Sequence, residues 1–237
     1  MNLTRYVEVA VLMGFVMVSG TAAHQRNIVW KDGLSLWSDV VQKSPNKTRP
    51  YSNLAIAYRS RGLIDKAIAF CKRGISLYPD VAEPHVNLGV CFLDKGWTDK
   101  AVFEFQQAIR IKADFARAHS NLGLAYSMLG QLDLAIAEQK QALKSNPCFV
   151  DAHNNLGVCY FDKGRIDKAI SHFQHAIQID PNHVDAHYNL GLAYGSKGKH
   201  DMAFREMKIA KRLSSSQQWK KITGGIKGEK GSVPAHP

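Results

Sequence analysis

One period governs this sequence. From Thr48 to Gln217 the residue pattern recurs every 34 positions, five times, with no insertion or deletion. The copies begin at Thr48, Ala82, Ala116, Val150 and Val184. A repeat of this length holds two helices and their turns, and it cannot bury an apolar face alone. Tandem copies must stack on their neighbours, so the period dictates an all-α solenoid of antiparallel helix pairs, here called A and B.

The columns of the repeat carry physical reasons. Position 7 is Leu54, Leu88, Leu122, Leu156 and Leu190, a core anchor on helix A. Position 8 (Ala55, Gly89, Gly123, Gly157, Gly191) and position 20 (Ala67, Ala101, Ala135, Ala169, Ala203) are small, which lets helices A and B approach closely. Position 11 is aromatic throughout (Tyr58, Phe92, Tyr126, Tyr160, Tyr194) and fills the space the small residues leave. Gly62, Gly96, Gly130, Gly164 and Gly198 end helix A, where a left-handed backbone costs glycine least. Three residues later an aspartate recurs, Asp65 to Asp201, placed to cap the first amides of helix B and to oppose its dipole. Pro79, Pro147 and Pro181 follow helix B, with Ala113 in that place in the second repeat. The register also runs backwards: Pro45, Trp37 and Val40 fit a helix B whose helix A is missing.

With these motifs the chain resembles the tetratricopeptide-repeat (TPR) family over residues 48–217. The resemblance implies a right-handed TPR superhelix and a protein-binding role. The organisation expected is an apolar N-terminal segment at 1–30, a half repeat at 31–47, and TPR repeats at 48–81, 82–115, 116–149, 150–183 and 184–217. A basic tail at 218–237, rich in Gly, Lys and Pro, is expected to be disordered, after a short closing helix around Gln217 to Ile222.

In TPR proteins helix A lines the concave face. Position 6 there is Asn53, Asn87, Asn121, Asn155 and Asn189. A side-chain amide both donates and accepts, so a register of five can pair with the backbone of an extended peptide without reading its side chains. The column resembles the asparagine ladder of O-linked N-acetylglucosamine transferase, which implies the same use; asparagine is also common at this place across TPR proteins. Position 9 (Ile56, Val90, Leu124, Val158, Leu192) is apolar and offers a groove floor or inter-repeat packing. Position 5 (Ser52, Val86, Ser120, Asn154, Tyr188) varies as a specificity surface would. The carboxylate clamp of co-chaperone TPR proteins is matched only by Arg117; Ile56 and Asn121 occupy two of its other places, so that function is not carried over.

Histidine recurs at position 4 (His85, His119, His153, His187, with Tyr51 first), a column that ordinarily packs an aromatic ring. His172 and His175 share a face of one helix B. Neither arrangement is expected to hold a metal, and no cofactor is expected. The four cysteines form no C-x-x-C pair; Cys91 and Cys159 sit at a small core position, and all four are expected to be free thiols. The net charge of +11 raises nucleic acid as a partner, but the Lys and Arg are scattered and no base-stacking aromatic motif accompanies them. No nucleophile triad, phosphate loop or carboxylate pair stands out, so the chain is expected not to be an enzyme.

Residues Val9 to Val18 are nearly all apolar. The run is short for a membrane span, which needs about 20 residues. The flank after it is more basic than the one before, which disfavours a clean secretion signal. A membrane-associated chain is the expectation, with the side of the membrane open; secretion or a periplasmic location after cleavage near Ala23 is the alternative. The stretch His24 to Leu54, with Arg26, Asn27, Trp30, Trp37 and Pro45, resembles the junction before the repeats of transmembrane-and-TPR mannosyltransferases and their bacterial relatives. That family's catalytic region has no counterpart here. The function expected is a non-enzymatic scaffold for an extended polypeptide, or alternatively the accessory TPR portion of a membrane glycosyltransferase system.

Overall fold

The computed structural model describes residues 33–215. The chain divides after Pro79 into two compact bodies. The described part of the first holds α1 (Gly33–Lys43), α2 (Thr48–Arg59) and α3 (Ile64–Leu77). That of the second holds α4 (Ala82–Asp94), α5 (Thr98–Ile111), α6 (Ala116–Met128), α7 (Leu132–Ser145), α8 (Val150–Asp162), α9 (Ile166–Ile179), α10 (Val184–Ser196) and α11 (His200–Ser214). No strand occurs among the described residues. The segment expected at 1–30 and the tail at 218–237, with its closing helix, lie outside them.

In the second body each helix A packs on its own helix B, each B packs on the next A, and successive A helices (α4, α6, α8, α10) touch along the stack. This is the helix-pair solenoid the period demands. In the first body α1 packs on α2 and α2 on α3.

Each A–B pair closes around the small residue at position 8. A Cβ on Gly89 would stand 2.5 Å from the Phe105 ring, and one on Gly157 would stand 2.5 Å from the Phe173 ring. Both rings are fully buried. The glycines therefore make room for a large residue at position 24 of helix B, which the aromatic column at position 11 alone does not fill. Burying such a ring contributes about 1.5–3 kcal/mol. Repeat 3 departs from this: position 24 is Gln139, also fully buried, with its Nε2 donating to Ser120 O at 2.8 Å.

The turn glycines sit at φ between 69° and 73°, as their place after helix A requires. The aspartates that follow behave differently from expectation. None caps helix B, whose N-cap positions Leu63, Trp97, Gln131, Arg165 and Lys199 make no side-chain cap bond. They lie inside the first turn, where the dipole still favours them, and two reach the next repeat instead. Lys163 donates to Asp133 at 2.5 Å, and Lys197 donates to Asp167. Each ammonium holds its carboxyl below the usual carboxylate range. Helix B ends at the same point whether Pro or Ala113 follows, so proline is not what terminates it.

The membrane-associated localisation is corrected. No described helix is long and apolar enough to cross a membrane. The longest, α11, has 15 residues, about 22 Å at 1.5 Å per residue, against a hydrocarbon core of about 30 Å. The apolar run that suggested an anchor, and the signal-peptide alternative built on it, lie outside the described residues.

Candidate functional site

On a helix, positions 2, 6, 9 and 13 follow one another by four, three and four residues and form one stripe. In the second body this stripe of each A helix is the open one. Its residues are half-buried or exposed, while positions 4, 7, 8 and 11 turn mainly inward. Asn87, Asn121, Asn155 and Asn189 stand on it, all half-buried, one per A helix. Asn53 stands on α2 in the first body, where it lines a cavity of about 370 Å³ with Leu34, Trp37, Ile56 and Arg61.

The asparagines are tied to one another's repeats. Asn189 Nδ2 donates to Asn154 Oδ1 at 3.0 Å, and Asn155 Nδ2 donates to Ser120 Oγ at 3.5 Å. In each case a position-6 amide reaches position 5 of the preceding A helix. The equivalent partner of Asn121 is Val86, which has no side-chain acceptor. An amide held this way has its orientation fixed and retains an acceptor oxygen and a second N–H. Position 5 is thus not the specificity surface its variability suggested. Ser52, Val86, Ser120 and Asn154 are buried, and only Tyr188, on the last A helix, is exposed. The apolar column at position 9 is partly open to solvent, with Leu124 and Leu192 exposed, and Met128 extends it on α6.

The position-4 rings brace the repeats from within. In repeats 3, 4 and 5 the Nε2 of His119, His153 and His187 donates to the carbonyl six residues back, on Ala113, Pro147 and Pro181. Tyr51 does the same through its hydroxyl to Pro45 O. The other ring nitrogen faces position 23 of helix B, 19 residues on. His85, His119 and His187 there meet Glu104, Glu138 and Glu206 at 2.7, 2.7 and 2.6 Å. A carbonyl and a carboxylate only accept, so His119, bonded to Ala113 O and Glu138, donates from both nitrogens, which is the imidazolium. The Glu138 bond accordingly holds His119 above its ordinary pKa.

Repeat 4 breaks the pattern, because position 23 is His172. Its Nδ1 lies 3.2 Å from Nδ1 of His153. His175 stacks on His153, with ring centroids 5.4 Å apart, and Tyr160 stacks on His172 at 5.5 Å. Burial, then the neighbouring His153 and His175, then Lys140 and Lys168, push His172 down to about 4. Burial lowers His153 as well. Among the described residues no group of three or more His, Cys, Asp or Glu is arranged to hold a metal. Reading one sequence by columns missed this cluster, although the His-to-Glu interval of 19 residues recurs in three repeats and its failure at His172 is visible in the sequence.

Family profiles described as TPR repeat match residues 91–130 and 159–198, and others described as tetratricopeptide repeat match 139–171 and 48–81, 116–147 and 184–215. No curated protein sequence matches the chain. Among solved structures, two of the protein MamA are 29% and 28% identical. They cover 79% and 70% of this chain and 98% and 97% of their own, with TM-scores of 0.56 and 0.57. The structure of YrrB, titled a TPR protein with an unusual peptide-binding site, is 24% identical, covers 77% of this chain and 94% of its own, and has a TM-score of 0.53. That last likeness is one of fold.

Proposed function

Because the chain belongs to the tetratricopeptide-repeat family, we propose that it is a protein-interaction scaffold that holds an extended polypeptide along the concave, A-helix face of its repeats. The observation that carries this reading is the register of half-buried asparagines on the open stripe, beside the partly exposed apolar column at position 9. Their side-chain amides present both a donor and an acceptor at repeat intervals, which suits a backbone more than any one side chain. The resemblance of the column to the O-linked N-acetylglucosamine transferase ladder supports the same use. Asn87, Asn121, Asn155 and Asn189 are the contact residues of the second body, and Asn53 serves the first. Each bond contributes about 0.5–1.5 kcal/mol. After ordering costs, such a set corresponds to micromolar affinity, and the apolar column adds to it.

A peptide array probed with the full chain tests this. The wild type is expected to bind a subset of extended peptides, and the triple change Asn87→Ala, Asn121→Ala, Asn155→Ala to weaken all of them by tenfold or more with the helical signal intact. Equal binding by both proteins would refute the backbone-contact role.

A further inference from the structure

Resting on that reading, we infer that the polypeptide held by the second body is cationic as well as apolar. The chain as a whole carries 31 Lys and Arg against 20 Asp and Glu. The open stripe of its four A helices inverts that balance. Positions 2, 6, 9 and 13 there hold five carboxylates, on Glu83, Asp94, Asp151, Asp162 and Asp185, against the single guanidinium of Arg117.

Helix stability accounts for part of this. Glu83, Asp151 and Asp185 lie in first turns, where the dipole favours an acid, and Asp151 also accepts from His183 Nε2 at 3.3 Å. Asp94 and Asp162 are the last residues of α4 and α8. There the dipole disfavours a carboxylate, so the dipole accounts for neither. Both are exposed. The basic residue that follows Asp162 does not mask it, because Lys163 turns away to Asp133 of the preceding repeat. The one cation of the stripe is also drawn to the protein, with the Arg117 guanidinium 5.4 Å from the Phe115 ring centroid. Between these charges stand the exposed apolar residues Leu124, Met128, Leu192 and Tyr188. An occupant complementary to this face is an extended segment whose lysines or arginines meet the carboxylates and whose apolar side chains lie on position 9. An acidic segment would meet like charge in repeats 2, 4 and 5, on three of the four A helices of this body, and is selected against.

The test uses the full chain and three fluorescent peptides that share backbone length and apolar residues but carry Lys, Gln or Glu at the remaining positions. At low salt the Lys peptide is expected to bind about tenfold tighter than the Gln peptide, and the Glu peptide more weakly than either. The advantage should shrink as salt rises. The double variant Asp94→Asn, Asp162→Asn should lose most of the Lys preference, read as the ratio of Lys-peptide to Gln-peptide affinity. Equal binding of the three peptides, or a Lys preference untouched by the double variant, overturns the inference and leaves the scaffold reading in place. Failure of all three peptides, and of array peptides of any charge, overturns both.

Discussion

Repeats 3 and 4 share a backbone plan, and among their differences two adjacent helix-B residues, Glu138–Gln139 against His172–Phe173, change what the position-4 ring and the position-8 glycine meet. In both, a position-4 histidine donates to the carbonyl six residues back. In repeat 3 the ring then meets a carboxylate, and in repeat 4 it meets another imidazole. In repeat 3 the core residue beside it is a polar amide with its Oε1 buried and unpartnered; in repeat 4 it is a phenyl ring. One scaffold position thus yields a brace that acid tightens and another that acid loosens.

The signs follow from linkage. The fold raises His119 above its ordinary 6.5, so its contribution is complete below that value and is lost as pH rises through the raised one. His172 is depressed to about 4. As pH falls below about 6.5 the unfolded chain takes up a proton that the folded repeat refuses, and stability drops until about pH 4. His153 acts in the same direction.

The largest effect separating the two repeats should come from their position-8 glycines. Gly157→Ala drives a methyl into the buried Phe173 ring, while Gly123→Ala meets the amide end of Gln139, whose Nε2 would lie at 2.7 Å. Urea unfolding should show about 2–3 kcal/mol lost for the first and about 1 kcal/mol less than that for the second. The reverse order would mean that Gln139, not the phenyl ring, is the rigid partner.

A smaller effect sharpens the histidine comparison. His172→Glu gives repeat 4 the ring–carboxylate pair of repeat 3. The variant's stability relative to wild type should grow as pH falls from 7.5 to 5. Solvent screening at this partly open site limits the gain to about 1 kcal/mol. Parallel pH profiles would show that the His153–His172 contact does not titrate within the fold.

What the sequence made legible was what each repeat demands locally. The 34-residue period, the Leu column, the small residues at positions 8 and 20 and the turn glycines all answer short-range constraints, and one copy explains the other four. What stayed hidden depends on the next repeat. The turn aspartates read as caps because the lysine that claims Asp133 is 30 residues away. Position 5 read as surface because nothing in a single repeat shows that the following A helix covers Ser120 and Asn154. The asparagines were found by their column, but the bonds that orient them were not, for the same reason. Localisation failed for another cause: it was drawn from one short, nearly all apolar run, and no described helix is long and apolar enough to cross a membrane.

The central claim is that the asparagine column reads a backbone. The most direct measurement is calorimetric titration of the full chain with a peptide selected on the array and with its counterpart N-methylated at alternate residues, which keeps every side chain and removes backbone donors. The account predicts at least a tenfold loss of affinity for the methylated peptide in the wild type, and a much smaller loss in the Asn87→Ala, Asn121→Ala, Asn155→Ala variant. Equal affinity of the wild type for both peptides would contradict it.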